Sequence, residues 1–377
     1  MKILEISPVF PPSVGGLEKC VSEIAKGLAR RGHEVVVYTT DFPRSKSKEL
    51  IDRVLVRRIP AFFSLFHAPV SIFMPYIARE NADLVHVHIP PVFGAFSAVI
   101  FAKMKGIPLV LTYHNDTVGC NTFENFVARI YNMIQDRFLL GNVQLITVPS
   151  AAYVKVLIGR KIDPRIIRVV NNGIDLAGCD KLQKKKEVQE KPGSDRRKLV
   201  LYVGALEKRK GVEFLLRAAR EIDERAGDVK IVIVGRGSEK KNLEQLALNL
   251  RVDNRVSFKG YVSEEELETL YCESDVFVLP SLYESFGLVL LEAMAHRKPV
   301  IATRIPGTSE LVKADFNGIL VEPKNPKKLG DAIMKVLSDT DYARKLGRNG
   351  QIFSASFTWD KAVSDYIHLF SNVLEES

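Results

Sequence analysis

The sequence predicts an α/β protein of two similar domains, each a parallel sheet covered by helices. Segments with the pattern of buried strands alternate along the chain with segments of helical periodicity, and this alternation indicates parallel sheets. The opening order of strand, loop, helix and strand returns after a charged stretch in the middle of the chain. With 377 residues, the chain is long enough for two domains of ordinary size.

The first half opens with a short core strand, KILEIS, followed by the loop PVFPPSVGG and a helix. Val21, Ile24 and Leu28 recur at helical spacing, and Gly32 ends this helix before the next strand. Further strands are predicted at EVVVYTT, ADLVHVH, PLVLTYH, VQLITVP and IIRVVNN. We therefore predict a Rossmann-like first domain over residues 1–185.

A run of charges predicts a linker over residues 186–197. The second half then repeats the opening order and predicts a second Rossmann-like domain over residues 198–357. Its strands are predicted at KLVLYVG, VKIVIVG, VSFKGYV, DVFVLPS, VIAT and GILVEP. A last helix, residues 358–377, is predicted to cross back to the first domain. Ligands of this architecture usually bind between such domains, so we expect the two to face each other across a cleft.

Composition narrows the class of protein. The first residues lack the cleavage site of a signal peptide, and no apolar run reaches membrane-spanning length. The four cysteines have no paired spacing for zinc or a redox dithiol, so free thiols in a reducing cytoplasm are expected. The net charge of +9 would attract phosphorylated substrates, anionic lipid or nucleic acid, or would only keep the surface soluble.

Motifs for phosphate and metal sites are absent or have structural alternatives. The sequence has no P-loop and no evident cluster of metal ligands, so we predict neither a metal site nor a cofactor. In VGRGSEKK, Lys240 stands where a dinucleotide fingerprint has its third glycine, and Gly235 and Gly237 therefore indicate a tight turn. Asp339 and Asp341 lie between two predicted helices, where capping is favoured over metal binding.

Anion-binding features recur at matching places in the two halves. Gly16 lies where a strand gives way to a helix, so the bare backbone can approach a ligand and the helix N-terminus favours negative charge. In the second half, Arg209 and Lys210 precede Gly211 and a helix in the equivalent position. Each loop alone fits a glycine turn or a solvated basic loop equally well. Their pairing favours a bound diphosphate.

The stretch LYESFGLVLLEAMAHRKPV contains two carboxylates in a nearly apolar segment. Residues 288–295 have no polar face, which predicts a buried helix in which the charge of Glu292 is costly unless paired. Glu292 could accept hydrogen bonds from the hydroxyls of a ribose, and Glu284 from those of a second sugar. Either glutamate could instead pair with a cation such as Arg297.

At these residues the sequence resembles the retaining glycosyltransferases of family four, which have the GT-B fold. The E-x7-E pattern in PSLYESFGLVLLEAMAHRKPVIAT is close to the most specific motif of that family. PPSVGGLEK, DLVHVHIP, NNGID, VGALEKRKG and the segments around GYVSEEEL and PGTSELV extend the resemblance over nearly the whole chain. It implies a hexosyltransferase that moves a sugar from a UDP- or GDP-linked donor to an acceptor hydroxyl with retention at the anomeric carbon.

The resemblance also implies roles for single residues. The implied catalytic residues are His114 beside the reacting sugar, Glu284 at the donor sugar and Lys210 at the diphosphate. The other implied substrate-binding residues are Gly16, Arg209, Val262 near the base, Phe286, Gly287, Leu288 and Glu292 at the ribose. Ala205 stands where many members have an arginine that helps to bind diphosphate, and Arg209 is the candidate replacement.

The histidines of the first half have structural alternatives. His114 could be a hydrogen-bonded histidine at a strand end, although its place in TYHND favours function. His86 and His88 alternate along one predicted strand, so both side chains are expected on one face, in packing or lining a cleft.

The reaction class also has alternatives. A nucleotide-sugar epimerase could share the fold and donor pocket, and a non-catalytic sugar-nucleotide-binding protein could share the pocket alone. The +9 charge would suit a nucleic-acid partner, but no aromatic-interleaved basic motif or helix-turn-helix signature is present. The acceptor is expected to be a sugar, a polysaccharide or a lipid-linked molecule.

The expected location is the cytoplasm, with a peripheral position on the cytoplasmic membrane face as one alternative. Residues 56–76, VRRIPAFFSLFHAPVSIFMPY, combine Arg57 and Arg58 with aromatic and aliphatic side chains, which suits an anionic membrane surface. An ordinary strand followed by core phenylalanines explains the same segment.

Overall fold

The protein is described here by a computed structural model that covers residues 1–65, 68–89, 93–116, 122–176, 197–226 and 229–376. The chain forms two compact units. The first comprises Met1–Gly173 together with Trp359–Ser377, and the second comprises Ile174–Thr358. The predicted domain end at 185 and the predicted linker fall almost wholly in residues 177–196, outside the described residues.

The first unit is built on an eight-stranded sheet. Its strands are β1 (Lys2–Ile6), β2 (Glu34–Thr40), β3 (Lys48–Ile51), β4 (Val54–Ile59), β7 (Leu84–Ile89), β8 (Leu109–Tyr113), β9 (Leu145–Val148) and β10 (Ile167–Val169). The order is β10-β9-β8-β7-β1-β2-β4-β3, and every pair is parallel except β3 with β4. A separate antiparallel pair consists of β5 (Phe63–Leu65) and β6 (Ala68–Val70).

Helices alternate with these strands along the chain. They are α1 (Gly16–Arg30), α2 (Met74–Ile77), α3 (Phe93–Lys105), α4 (Thr122–Phe138) and α5 (Ala151–Gly159). In α1, the predicted stripe of Val21, Ile24 and Leu28 is buried in the core. The chain leaves this helix through Gly32, whose φ of +87° suits glycine.

The second unit contains a six-stranded, wholly parallel sheet. Its strands are β11 (Lys198–Val203), β12 (Val229–Val234), β13 (Val256–Gly260), β14 (Val276–Leu279), β15 (Val300–Thr303) and β16 (Gly318–Val321). Its helices are α6 (Val212–Ala226), α7 (Lys240–Leu250), α8 (Glu264–Glu273), α9 (Leu288–Ala295), α10 (Pro306–Leu311), α11 (Pro326–Ser338) and α12 (Thr340–Ser354). The strands run β13-β12-β11-β14-β15-β16, the order of a Rossmann sheet.

The order of strands reverses at the first strand of each unit. In the second unit, β12 and β13 lie on one side of β11, and β14 to β16 lie on the other. In the first unit, β1 lies in the same way between β2 and β7. Loops that follow the two strands beside such a reversal leave a crevice at the carboxyl edge of the sheet, where ligands of this architecture bind. The prediction of two Rossmann-like α/β units is confirmed.

The last helix, α13 (Trp359–Glu375), belongs to the first unit, as predicted. It buries Trp359, Tyr366 and Phe370 in the same core as α1. At Gly27 of α1, a Cβ would overlap the side chain of Val363. This glycine therefore allows the two helices to approach closely.

Arg57 and Arg58 lie in an ordinary strand, the alternative explanation of this segment, and their membrane role stays a prediction. β4 is paired on both edges, and its two arginines point to opposite faces of the sheet. The Arg58 side chain is only 1% exposed and forms an ion pair with Glu49, and the Arg57 Nη1 atom lies 2.5 Å from the Glu80 Oε1 atom. Both charges are thus already balanced within the unit. Among the helices that the structure describes, none combines the length and apolar character that crossing a membrane requires.

Two short motifs have structural roles in the second unit. A Cβ at Gly235 would overlap the carbonyl oxygen of Gly204, and one at Gly237 would overlap that of Leu206, so both glycines serve a close approach of two chain segments. The side chain of Asp339 accepts a hydrogen bond from the backbone nitrogen of Tyr342 and caps α12.

Candidate functional site

Two loops meet at the carboxyl edge of the second sheet because β11 and β14 are parallel neighbours. Residues 204–211 follow β11, and residues 280–287 follow β14. The backbone nitrogen of Leu282 donates to the carbonyl oxygen of Arg209 at 2.8 Å. At Gly211, φ is +62° and a Cβ would overlap the carbonyl oxygen of Pro280, so only glycine fits where the loops touch.

Lys210 and Glu284 form an ion pair between these loops. The Lys210 Nζ atom donates to the Glu284 Oε2 atom at 2.6 Å, and the two side chains are only 13% and 10% exposed. Sequence reasoning named both residues separately, and the fold brings them into contact. A cation and a carboxylate therefore lie side by side at the crevice.

The helix α9 begins beside this pair. Gly287 is its N-cap residue with φ of +88°, and Phe286 is buried immediately before it. The first backbone N–H groups of a helix have no partner within the helix, and they favour negative charge nearby. The predicted burial of α9 is confirmed, since Leu290, Leu291 and Met294 are fully buried.

Glu292, in the second turn of α9, accepts a hydrogen bond from a tyrosine side chain. The Tyr271 hydroxyl donates to the Glu292 Oε2 atom at 3.0 Å. The ring of Tyr271 stacks on His296, with 5.0 Å between the ring centroids. Arg297, the cation offered as an alternative partner for either glutamate, donates through Nε to Gln351. Sequence reasoning missed Tyr271, because no motif links α8 to α9.

The remaining predicted residues of the second unit follow β11, β13 and β14. The Arg209 Nε atom donates to the Glu207 Oε2 atom at 2.6 Å, so this candidate replacement for an arginine at Ala205 has an acidic partner. Val262 is buried just after β13. Leu288 is half-buried in the first turn of α9.

Gly16 and His114, the predicted site residues of the first half, belong to the first unit. Gly16 is the first residue of α1, and a Cβ there would meet nothing within 4 Å. Packing therefore gives no reason for a glycine at this position. His114 follows β8 directly, and its side chain is buried.

His114 ends a buried chain of hydrogen bonds that starts at Glu5. The Glu5 Oε1 atom lies 3.0 Å from His86 Nδ1, and Glu5 Oε2 lies 2.8 Å from His88 Nε2. His88 Nδ1 in turn lies 3.0 Å from His114 Nε2. The prediction that His86 and His88 share one face is confirmed, because both contact one carboxylate. The sequence reasoning had not singled out Glu5.

Comparison with known proteins identifies the family. The family described as "Glycosyltransferase Family 4" matches residues 14–177, and "Glycosyl transferases group 1" matches residues 183–353. An uncharacterized glycosyltransferase of Methanocaldococcus jannaschii is 30% identical over 396 residues, covering 100% of this chain and 99% of its own. The chain belongs to glycosyltransferase family four.

Solved structures share the fold of this glycosyltransferase. A sucrose-phosphate synthase from Thermosynechococcus elongatus superposes with a TM-score of 0.85 at 24% identity, covering 100% of both chains. The HepE protein of Anabaena, solved in complex with UDP-glucose, gives a TM-score of 0.76 at 22% identity and covers 99% of this chain and 100% of its own. The predicted GT-B fold is confirmed.

The buried cluster of the glycosyltransferase has a defined charge state. Burial alone would raise the pKa of the Glu5 carboxyl, but His86 and His88 lower it to about 2. Burial lowers the pKa of His88 to about 4, against the attraction of Glu5. Burial and the neighbouring histidines hold the pKa of His114 well below its usual range. Near neutral pH, Glu5 is therefore a carboxylate, and His88 and His114 are neutral.

Glu5, His86 and His88 are also donor types that bind zinc, and one ligand atom from each lies within 4.8 Å of the others. The sequence pattern did not reveal this group, since Glu5 lies 81 and 83 positions from the two histidines. His86 Nδ1 and His88 Nε2 already lie within hydrogen-bond distance of the two Glu5 oxygens. A metal ion would have to replace those bonds.

The charge state predicts how the glycosyltransferase responds to acid. A neutral buried histidine takes up a proton on unfolding at any pH between its folded and unfolded pKa values. For His88, stability is therefore complete above pH 6.5 and lost as the pH falls toward 4. Each proton taken up in this way lowers the free energy of unfolding by about 1.4 kcal/mol for each pH unit of acidification. Denaturant titrations of wild-type protein between pH 7 and pH 5 should show this loss. The His88→Asn variant should take up about one proton fewer than wild type when it unfolds. A pH-independent unfolding free energy over this range would contradict the assignment.

Proposed function

We propose that the protein is a retaining hexosyltransferase that uses a UDP- or GDP-linked sugar as its donor. The contact between Lys210 and Glu284 carries this proposal, because it joins a diphosphate-binding cation to a hydroxyl-binding carboxylate beside the N-terminus of α9. Membership of the family supports transfer over epimerisation or passive binding. The HepE protein, which shares the fold, was solved with UDP-glucose.

In this proposal, the donor replaces interactions that the side chains make with each other. The diphosphate becomes the partner of Lys210, and Glu284 then accepts hydrogen bonds from hydroxyls of the sugar. Glu292, held by Tyr271, accepts from the ribose hydroxyls, and Val262 lies near the base. The remaining donor contacts come from Gly16, Arg209 and the backbone of residues 286–288.

The chemical barrier lies in expelling the nucleoside diphosphate while positive charge develops on the sugar. Fixed positive charge aimed at the leaving phosphate lowers that barrier. Lys210, Arg209 and the N-terminus of α9 supply such charge, so we propose a reaction that needs no metal ion. The departing phosphate helps to deprotonate the acceptor hydroxyl on the same face of the sugar, which retains the configuration. His114 contacts the reacting sugar.

The acceptor is proposed to be lipid-linked and reached at an anionic, cytoplasmic membrane surface. One side of α4 packs inward through Ala128 and Gln135, and Leu139, directly after the helix, is buried as well. The opposite side exposes an apolar stripe, referred to below as the α4 face. It consists of Phe126, Ile130, Met133, Ile134 and Phe138, of which Phe126 and Met133 are 62% and 63% exposed.

Two exposed arginines, Arg129 and Arg137, lie among the side chains of the α4 face. Apolar side chains interspersed with basic ones bind the interface of an anionic membrane without crossing it. We therefore propose the α4 face, rather than Arg57 and Arg58, as the membrane contact.

Substitution of the two carboxylates tests the donor site. Glu292→Gln should weaken binding of free nucleoside diphosphate by roughly tenfold or more, because an amide accepts less well than a carboxylate. Glu284→Gln should leave that affinity nearly unchanged, or raise it by releasing Lys210, while turnover falls. Calorimetric titration of each variant with UDP and GDP measures the affinities, with Tyr271→Phe as a variant that leaves both carboxylates in place. Equal losses of affinity in the two glutamine variants would refute the assignment.

Liposome sedimentation tests the α4 face. Met133→Glu with Ile134→Glu should reduce binding to anionic liposomes several-fold at low salt, where electrostatic attraction is least screened. Ile352→Glu is the matched control, because Ile352 is a 73% exposed apolar residue of the second unit and should bind as wild type does. If wild-type protein does not bind such liposomes, the acceptor is better sought among soluble molecules.

A further inference from the structure

The chain of hydrogen bonds from Glu5 determines which nitrogen of His114 carries the proton. Glu5 lies in β1 and is fully buried, and His86 of β7 is its partner on the neighbouring strand of the sheet. An ionised carboxylate can only accept hydrogen bonds. The nitrogens that face it, His86 Nδ1 and His88 Nε2, must therefore both be N–H donors.

His88 transmits this constraint to His114. A neutral imidazole has one N–H and one lone pair. Because Nε2 of His88 donates to Glu5, its Nδ1 atom has the lone pair and must accept. The atom facing it at 3.0 Å is Nε2 of His114, which therefore donates. Within the part of the chain that the structure describes, Nδ1 of His114 makes no hydrogen bond.

We propose that Glu5 and His88 are positioning residues that hold His114 neutral, with its proton on Nε2 and its lone pair on Nδ1. This inference rests on the proposed function for one point only, that His114 contacts the sugar. There, Nδ1 accepts a hydrogen bond from a sugar hydroxyl. A neutral ring also adds no positive charge beside a sugar on which positive charge develops, whereas an imidazolium would oppose that development.

A second branch of the cluster provides an internal control. His86 Nε2 lies 2.7 Å from the Thr112 hydroxyl, which lies 3.1 Å from the hydroxyl of Tyr366. Hydroxyl groups can donate or accept, so this branch places no constraint on the proton of His114. Tyr366 is buried like His88 but lies at the far end from His114. Tyr366→Phe therefore removes a buried hydrogen bond without breaking the path to His114.

Nitrogen NMR of the imidazole rings reads the tautomer directly. The chain has seven histidines, and the His114 signals are assigned by their loss in His114→Asn. In wild-type protein dialysed against EDTA, we expect His114 at neutral pH to show a protonated Nε2 and an unprotonated Nδ1. A protonated Nδ1 or an average of the two tautomers would overturn the proposal. So would the expected His114 signals if they appeared only after zinc was added.

Glu5→Gln tests the consequence, because an amide presents one acceptor and one donor where the carboxylate presents two acceptors. We expect a second His114 species with the proton on Nδ1, and a fall in kcat on the order of tenfold. The affinity for nucleoside diphosphate should be unchanged, and Tyr366→Phe should match wild type in both tautomer and kcat. Should Glu5→Gln fail to fold, the wild-type spectrum alone still decides the proposal.

The two measurements separate this inference from the proposed function. The spectrum is recorded without donor or acceptor, so it does not depend on activity. If the second His114 species appears but Glu5→Gln transfers sugar as fast as wild type, the tautomer is established and the role of His114 in transfer is wrong. If no nucleotide sugar is ever consumed, the proposed function fails while the tautomer assignment stands.

Discussion

The parallel pairing of β11 with β14 is the constraint on which the candidate donor site depends. Because the strand order reverses at β11, the loops that follow these two strands leave the sheet side by side. Gly211 allows the loops to touch, and the contact places Lys210 against Glu284. The same loop from β14 leads into α9 and so sets the position of Glu292. One topological feature thus aligns a cation, a helix N-terminus and two carboxylates.

The charged groups of the two units differ in their exposure and in their partners. In the second unit, Lys210 and Arg209 pair with acidic side chains at the edge of the sheet, where a ligand can exchange with those partners. In the first unit, Glu5 is removed from water entirely and satisfied by two histidines. An exchangeable ion pair suits binding and release of a diphosphate. A buried, fully hydrogen-bonded carboxylate suits a fixed arrangement of protons.

Much of the fold could be predicted from the sequence because each regular element has a local signature. The buried helix at Leu288–Ala295 and the core strands of both sheets lie where the apolar pattern indicated. Short edge strands such as β3 were missed, since four residues of mixed polarity give no pattern. The E-x7-E motif indicated the donor side, but not that Glu284 meets Lys210, which depends on the pairing of distant strands.

Other parts of the site had no local signal. Glu5 lies in a strand buried on both faces, and its partners are 81 and 83 positions away, so nothing near it in sequence marks it as special. The arginines of β4 suggested a membrane surface because neighbours in sequence were taken as neighbours in space. Strand alternation instead directs them to opposite faces of the sheet. The stripe along α4 had the spacing of a core-facing helix, and only the fold reveals which side is exposed.

A donor screen tests the central claim most directly. The claim is that the loops after β11 and β14 direct cleavage of a nucleoside diphosphate sugar. Each common nucleotide sugar would be incubated with wild-type protein and with Lys210→Met in excess EDTA, and donor and products would be quantified by mass spectrometry. We predict that wild-type protein consumes a UDP- or GDP-linked sugar and releases the nucleoside diphosphate, and that Lys210→Met is slower by at least on the order of 100-fold. Equal turnover by Lys210→Met, release of nucleoside monophosphate, or activity that returns only on adding a divalent metal would contradict this claim.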